Sequence, residues 1–201
     1  MVTARGRPVV DVDESQVWDA EKASAVPHVL WSRAAEEARR ETGAAGEQAL
    51  LELLRRGDVP QIRHVAAESD AYGYDIEAML SFEDVSHLEV KSTTDPTRLV
   101  IHLTRHEYEV MLTDTEWSLA AVLVGADGSA LNVATVSRRW LHSAVPHDKT
   151  GGGRWESARL VVPTQAMTPG LFTGTGQRLL AEAWLPNVPV WVLPSPAVLP
   201  A

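Results

Sequence analysis

The hydrophobic pattern of the chain changes its period after Gly57, and no other feature constrains the fold as strongly. Residues 27–56 are rich in Ala, Leu, Glu and Arg, and their apolar residues recur at helical spacing. Gly57 followed by Pro60 is typical of a helix end. We therefore predict a helix over residues 27–56, with an interruption near Gly43 and Gly46.

Four short runs rich in Val, Ile and Leu follow this helix, and turn-forming segments separate them. Runs of this length and composition favour β-strands. They cover residues 61–67, 74–80, 87–92 and 99–103. This part of the chain therefore predicts an α/β fold in which one helix precedes four strands.

A second helix and a hairpin follow the fourth run. Thr104, with Glu107 three residues later, has the pattern of a capping box, which predicts a short helix over residues 105–114. Two further predicted strands, at 117–124 and 130–136, flank an Asp-Gly turn. The predicted order is helix, four strands, helix and two strands.

The composition restricts the class of protein. The 201 residues are 45% hydrophobic, which allows a sizeable core, and they contain no cysteine, which excludes disulfides and cysteine-ligated zinc. No apolar run approaches the roughly 18 residues of a transmembrane helix. We expect a cytoplasmic protein that does not enter a membrane.

The chain is predicted to have three regions. Residues 1–26 form an N-terminal extension, residues 27–136 form the core domain, and residues 137–201 form a C-terminal extension. The last region contains a predicted strand at 158–164, a predicted helix at 176–185 and a proline-rich tail.

The net charge of −9 is unevenly distributed along the chain. Residues 1–127 contain 12 Lys and Arg against 24 Asp and Glu, whereas residues 128–201 contain 6 against 3. The candidate nucleic-acid contacts in this basic region are Arg138, Arg139, Lys149, Arg154 and Arg159. Such a cluster is also compatible with an ordinary solvated face.

The segments GYDI and LEVK contain the charged residues that point to chemistry. Alternate residues of a strand face the same side, so Glu89 and Lys91 share one face of the third predicted strand. If Asp75 on the preceding strand lies beside Glu89, two carboxylates meet, and the Val90 carbonyl adds a further oxygen. Oxygen ligands of this kind suit Mg²⁺ or Mn²⁺.

A lysine is an unusual choice in this chain, which has 15 arginines and three lysines. The compact ammonium of Lys91 suits the orientation of a metal-bound water or the stabilisation of charge on a phosphate. Metal-assisted phosphodiester hydrolysis is one interpretation, with Glu47 on the first helix as a supporting acid. An ion pair within the sheet, and a solvated helix face for Glu47, are the structural alternatives.

The chain resembles a known family in the segments GEQALLELL, GYDIEAM, HLEVKS and IHLTRHEYEVM, over residues 37–136. These segments are similar to DUF3883, the NO VEIN C-terminal domain family, of the PD-(D/E)XK restriction-endonuclease-like superfamily. The resemblance implies an α/β fold with a mixed β-sheet flanked by helices and an α-β-β-β-α-β core. It also implies a DNA nuclease with Mg²⁺ or Mn²⁺ as cofactor.

The resemblance transfers the roles of the family to four residues of this chain. They are the metal-binding Asp75 and Glu89, the catalytic Lys91 and the helix-borne acid Glu47. The asparagine that usually precedes the glutamate matching Glu107 is His106 here. Because of this departure, helix capping stays open as the role of Glu107.

Members of this family often accompany restriction, helicase or other defence modules. The resemblance therefore implies a partner protein from a defence system, and a homodimer is a further expectation. The alternative function is a noncatalytic nucleic-acid-binding or protein-interaction module that retains the nuclease fold.

Overall fold

The described part of the chain contains three α-helices and eight β-strands. This computed structural model describes residues 14–148 and 154–180, with side chains from Arg33 onward except that of Asp70. In chain order the elements are α1 (Glu14–Arg56), β1 (Gln61–His64), β2 (Ile76–Met79), β3 (Val85–Thr93), β4 (Leu99–Thr104), α2 (Arg105–Thr113), β5 (Trp117–Val124), β6 (Ala130–Val136), α3 (Arg138–Ala144), β7 (Ser157–Val162) and β8 (Met167–Pro169).

The chain divides into two compact units, with the boundary between Arg40 and Glu41 inside α1. Strands β7 and β8 follow residue 136 but pair with strands that precede it. The three-region division based on the sequence stays a prediction. Within the described residues, no helix has both the length and the apolar character needed to cross a membrane.

A mixed six-stranded sheet forms the centre of the second unit, in the order β1-β2-β3-β5-β6-β8. Strands β3 and β5 are parallel, and the other neighbouring pairs are antiparallel. The predicted α/β class, with a mixed sheet and flanking helices, is confirmed. Strand β4 leaves this sheet and pairs with β7 in a separate two-stranded sheet.

The first predicted helix is confirmed, but it begins earlier than predicted and has no interruption. It extends without a break from Glu14 to Arg56, so the predicted break near Gly43 and Gly46 is wrong. The Gly57 N–H donates to the Leu53 carbonyl at 3.0 Å and ends the helix. The left-handed conformation that follows belongs to Asp58, which has a φ of 56°.

Two clusters of buried apolar residues lie on opposite faces of the main sheet. In β5, Leu119 and Ala121 join the cluster that includes β4, α2, α3 and β7. Ala120 and Val122 join the cluster that includes the C-terminal part of α1. All residues of β5 are buried, as expected for a strand covered on both faces.

The C-terminal region follows the sequence predictions only in part. The strand predicted at 158–164 is confirmed as β7, whereas α3 and β8 were not predicted. The helix predicted at 176–185 is wrong over residues 176–180, because Gly176 has a φ of 89° and Arg178 forms a β-bridge with Phe172. Its remaining residues and the proline-rich tail lie outside the described residues.

Candidate active site

The start of β2 fixes a carboxylate against β3. The two strands are antiparallel, with Ile76 opposite Leu88, and the Asp75 N–H donates to the Leu88 carbonyl at 2.9 Å. The carboxylate of Asp75 then accepts the N–H of Val90 at its Oδ2 atom, at 2.7 Å. This bond orients the Asp75 side chain along the edge of β3 that β2 leaves unpaired.

The ammonium group of Lys91 lies between two carboxylates. Its Nζ atom is 2.6 Å from Glu89 Oε1 and 3.2 Å from Glu107 Oε1. Leu88 and Val90 pack in the cluster with α1, so Glu89 and Lys91 project from the opposite face of β3. The side chain of Glu89 is only 4% exposed and that of Lys91 is 18% exposed.

Helix α2 begins with the capping box that the sequence predicts. Glu107 Oε2 accepts the Thr104 N–H at 2.8 Å, and the Glu107 N–H donates to Thr104 Oγ1 at 3.2 Å. The other carboxylate oxygen of Glu107 contacts Lys91. Glu107 therefore caps its helix and also fixes the position of Lys91, a contact that the sequence reasoning missed.

A close contact between α1 and β3 positions Glu47. A Cβ atom on Gly46 would lie 1.6 Å from Ser92 Oγ, so only glycine allows this approach without a shift. The Ser92 hydroxyl is buried and has no hydrogen-bond partner among the described residues. Glu47 Oε2 lies 2.7 Å from His64 Nε2, and the sequence reasoning did not select this histidine.

Burial perturbs the ionisation of Asp75. It raises the pKa of this carboxyl to about 6, while the hydrogen bond from Val90 acts in the opposite direction. The negative charges of Glu47 and Glu107 raise the pKa of Asp75 further, and the positive charge of Lys91 lowers it. Asp75 therefore lies close enough to Glu47 and Lys91 for their charges to act on it.

Burial also raises the pKa of Glu89 well above its ordinary value, and Lys91 only partly offsets this effect. Burial by itself lowers the pKa of Lys91, but the charges of Glu89 and Glu107 outweigh it and raise the net value. Lys91 is therefore protonated at neutral pH. We call Glu47, Asp75, Glu89, Lys91 and Glu107 the acidic cluster, because the charges of these residues act on the buried carboxyl groups of Asp75 and Glu89.

The acidic cluster contains carboxylate oxygen atoms that can coordinate a divalent cation. One oxygen of Asp75 binds Val90 and one of Glu89 binds Lys91, and the second oxygen of each carboxylate makes no hydrogen bond with a described residue. The N–H and C=O of one strand residue point the same way, so the Val90 carbonyl faces the Asp75 side of β3. No group of three or more His, Asp or Glu side chains in the described ranges is assembled for a metal. Mg²⁺ commonly uses one or two protein carboxylates with water and phosphate.

A second set of charged residues surrounds Glu77 of β2 and His87 of β3. Arg63 contacts Glu68 at 3.1 Å and Glu77 at 3.3 Å, and His87 Nδ1 lies 2.6 Å from Asp114 Oδ2. We call these five residues the paired cluster. Each acid in it has a basic partner, which makes a structural role sufficient for this set.

The predicted basic contacts differ in their surroundings. The guanidinium of Arg138 donates to the carbonyls of Met111, Thr115 and Trp117, and thereby joins α3 to α2 and β5. The other arginines of the set are exposed and make no ion pair with a described residue. They are Arg139, Arg154 and Arg159. Lys149 lies outside the described residues.

Comparison with known proteins finds a match to one family model over part of the chain. The family model described as Protein NO VEIN, C-terminal, matches residues 46–135. This segment contains all members of the acidic cluster and ends in β6. No curated protein and no solved structure shows a detectable match to the chain. The predicted resemblance to the NO VEIN C-terminal family is thus confirmed, while membership of the PD-(D/E)XK superfamily stays a prediction.

Proposed function

We propose that the protein is a metal-dependent nuclease of the PD-(D/E)XK type that hydrolyses phosphodiester bonds of DNA. The observation that carries this proposal is the junction of β2 and β3, where Asp75 binds Val90 while Lys91 bridges Glu89 and Glu107. The sequence match to the NO VEIN C-terminal family supports it, because the matched segment contains this junction.

Asp75, Glu89 and the Val90 carbonyl would hold Mg²⁺ or Mn²⁺. The bound cation would polarise a phosphate oxygen and lower the pKa of a bound water. The buried carboxyl groups of Asp75 and Glu89 favour this assignment, since a divalent charge would offset the effects of burial and, to a lesser extent, of the neighbouring acids, which raise the pKa of both groups.

Lys91 would act as a fixed positive charge. Because the neighbouring carboxylates raise its pKa, Lys91 is poorly suited to accept a proton and well suited to stabilise negative charge on a phosphate. Its contact with Glu107 restricts where the ammonium can lie. Glu47, held by His64, would be a supporting acid at the edge of the site.

Cleavage of supercoiled plasmid by the purified chain with Mg²⁺ or Mn²⁺ tests the proposal. We expect nicking that EDTA abolishes and that Lys91→Ala lowers at least about a hundredfold. Lys91→Arg should also lose most of the activity, since the guanidinium is larger and binds as a fork. Circular dichroism of each variant separates lost chemistry from lost folding.

Arg56→Ala provides a matched control, because Arg56 is an exposed basic residue at the end of α1 with a single long contact to Glu52. It should nick at the rate of the unmodified chain. Equal nicking by the unmodified chain and by folded Lys91→Ala would contradict the proposal. Absence of nicking with every metal, alone or with a partner protein, would also contradict it.

A noncatalytic module that binds nucleic acid or protein is the second candidate. The observation that favours it is the ion pair from Lys91 to Glu89 and Glu107, which satisfies the ammonium without any metal. Such a module should bind DNA with an affinity that falls steeply with salt. It should also keep that affinity in Glu89→Gln, whereas a nuclease should lose its cleavage activity.

We further propose that the protein acts in a restriction or defence system, with a partner protein or as a homodimer. The support for this setting is the family match alone. Co-purification with a tagged neighbour from the same defence system would test it. A chain that remains monomeric and cuts DNA unaided would contradict the requirement for a partner.

A further inference from the structure

A surface pocket lies between α3 and the turn that joins β7 to β8. Its volume is about 440 Å³, which is within the range of small-ligand sites. The Ser137 N–H donates to the Ala166 carbonyl at 2.8 Å and holds the two walls together. The lining residues are Ser137, Arg139, Trp140, Ser143, Pro163, Gln165 and Ala166.

Two polar side chains of this pocket, a cation and an amide, have no hydrogen-bond partner among the described residues. The hydroxyls of Ser137 and Ser143 are already bonded to the main chain of Trp140. Arg139 and Gln165 are exposed and make no hydrogen bond or ion pair with a described residue. No acidic side chain lines the pocket, so it suits an anionic ligand and not a cationic one.

The apolar part of the lining includes the indole ring of Trp140, on which a planar ring can stack. Trp140 and Pro163 are half-buried, and Ala166 is buried. Planar bases stack on aromatic side chains whatever their sequence. A ligand that combines a phosphate for Arg139, a polar ring edge for Gln165 and a flat ring for Trp140 is a nucleotide.

The strand that leads into the pocket has a matching exposed face. Residues alternate between buried and exposed along β7, and Arg159 and Val161 lie on its exposed side. Pro163 continues that alternation at the rim of the pocket. Arg159 and Pro163 are therefore about 13 Å apart along the strand, which is close to two nucleotide steps of an extended single strand.

We propose that this pocket binds one unstacked nucleotide of a DNA strand that follows the exposed face of β7. The inference rests on DNA as the substrate of the proposed nuclease and names single-stranded or locally opened DNA as the form it engages. Arg139 would contact the phosphate, Gln165 the edge of the base and Trp140 its face.

Fluorescence anisotropy of a labelled thymidine oligonucleotide of about 12 residues, measured with the full chain in EDTA, tests this proposal without cleavage. We expect Arg139→Ala to weaken binding about tenfold and to lower the salt slope by about one. Gln165→Ala and Trp140→Phe should weaken binding without changing that slope. Arg56→Ala, an exposed arginine outside the pocket, should bind like the unmodified chain.

Two competitors separate the nucleotide from simpler ligands. Thymidine monophosphate should displace the oligonucleotide more effectively than inorganic phosphate, and a blunt duplex of the same sequence should bind more weakly than the single strand. Equal competition by the two small ligands, equal binding of duplex and single strand, or pocket variants that bind like Arg56→Ala would overturn the proposal.

The outcomes for the pocket and for the nuclease are distinguishable. If the pocket variants lose strand binding while no metal supports cleavage, the pocket is correct and the nuclease proposal is wrong. If plasmid cleavage depends on Lys91 but substitution of Arg139 or Gln165 leaves oligonucleotide binding unchanged, the nuclease proposal holds and the pocket inference is overturned.

Discussion

The acidic cluster and the paired cluster both include residues of β3, yet the two sets balance their charges differently. In the paired cluster, Arg63 contacts Glu68 and Glu77, and His87 contacts Asp114. In the acidic cluster, Lys91 contacts Glu89 and Glu107 and His64 contacts Glu47, but Asp75 has no basic partner among the described residues. Burial raises the pKa of Asp75 and of Glu89. Every acid of the paired cluster thus has a basic partner, whereas the buried Asp75 has none among the described residues, and this difference points to a role other than structural pairing.

The difference suggests that the acidic cluster is maintained at a cost in stability. A carboxylate that must lose its proton in a buried, negatively charged place destabilises the folded chain. Sites that bind cations commonly accept such a cost, because the bound ion later relieves it. Neutralising Asp75 in the acidic cluster and Asp114 in the paired cluster should therefore change the free energy of unfolding with opposite signs.

The largest effect on stability is expected for Lys91→Ala. It leaves the buried Glu89 and the half-buried Glu107 without their cation, and such losses typically cost about 3 to 5 kcal/mol of the free energy of unfolding. Urea unfolding followed by tryptophan fluorescence would measure this loss. The double variant Lys91→Met/Glu89→Gln should recover most of it, and a double variant as unstable as the single one would contradict this account of the pair.

Asp75→Asn is expected to stabilise the chain above about pH 6. The folded state raises the pKa of Asp75 from 3.8 to about 6, so it binds the proton more tightly than the unfolded state. The unmodified chain therefore loses stability as the pH rises through this window, by up to about 3 kcal/mol. Asparagine avoids this loss and can still accept the Val90 N–H.

Unfolding curves of both chains between about pH 4 and pH 8 would check this expectation. The advantage of Asp75→Asn should be greatest at the alkaline end and should disappear toward pH 4. An advantage that is constant with pH, or a loss of stability at about pH 8, would contradict the assigned direction.

Asp114→Asn should have the opposite and smaller effect. Its carboxylate is the partner of His87 and caps the N–H of Glu116, so its loss should cost about 1 kcal/mol. The same urea titration would measure it, with cleavage activity retained. A stabilising effect of Asp114→Asn would remove the contrast between the two clusters.

The sequence was sufficient to predict the residues that neighbour one another along β2 and β3. Glu89 and Lys91 share a face because strand residues alternate, and Asp75 precedes the strand that pairs with theirs. The capping box at Thr104 was equally predictable, because it depends only on residues three positions apart.

Contacts that depend on the packing of whole elements could not be predicted in this way. Glu107 reaches Lys91 only because α2 covers that face of β3, and Glu47 meets His64 only because α1 ends beside β1. Strand β4 has an alternating burial pattern that would fit either sheet, so its partner could not be inferred from the pattern. The sequence predicted Arg138 as a nucleic-acid contact, because it does not show the main-chain carbonyls to which this guanidinium donates.

Binding of Mn²⁺ tests the central claim most directly, because the free ion is visible by electron paramagnetic resonance. Titrations of the unmodified chain, Asp75→Asn and Asp114→Asn near neutral pH would compare the two clusters under one condition. We expect one saturable site that Mg²⁺ displaces, present in the unmodified chain and in Asp114→Asn and lost in Asp75→Asn. Absence of a saturable site in the unmodified chain, or equal binding by Asp75→Asn, would contradict the assignment of the acidic cluster as a metal-dependent site.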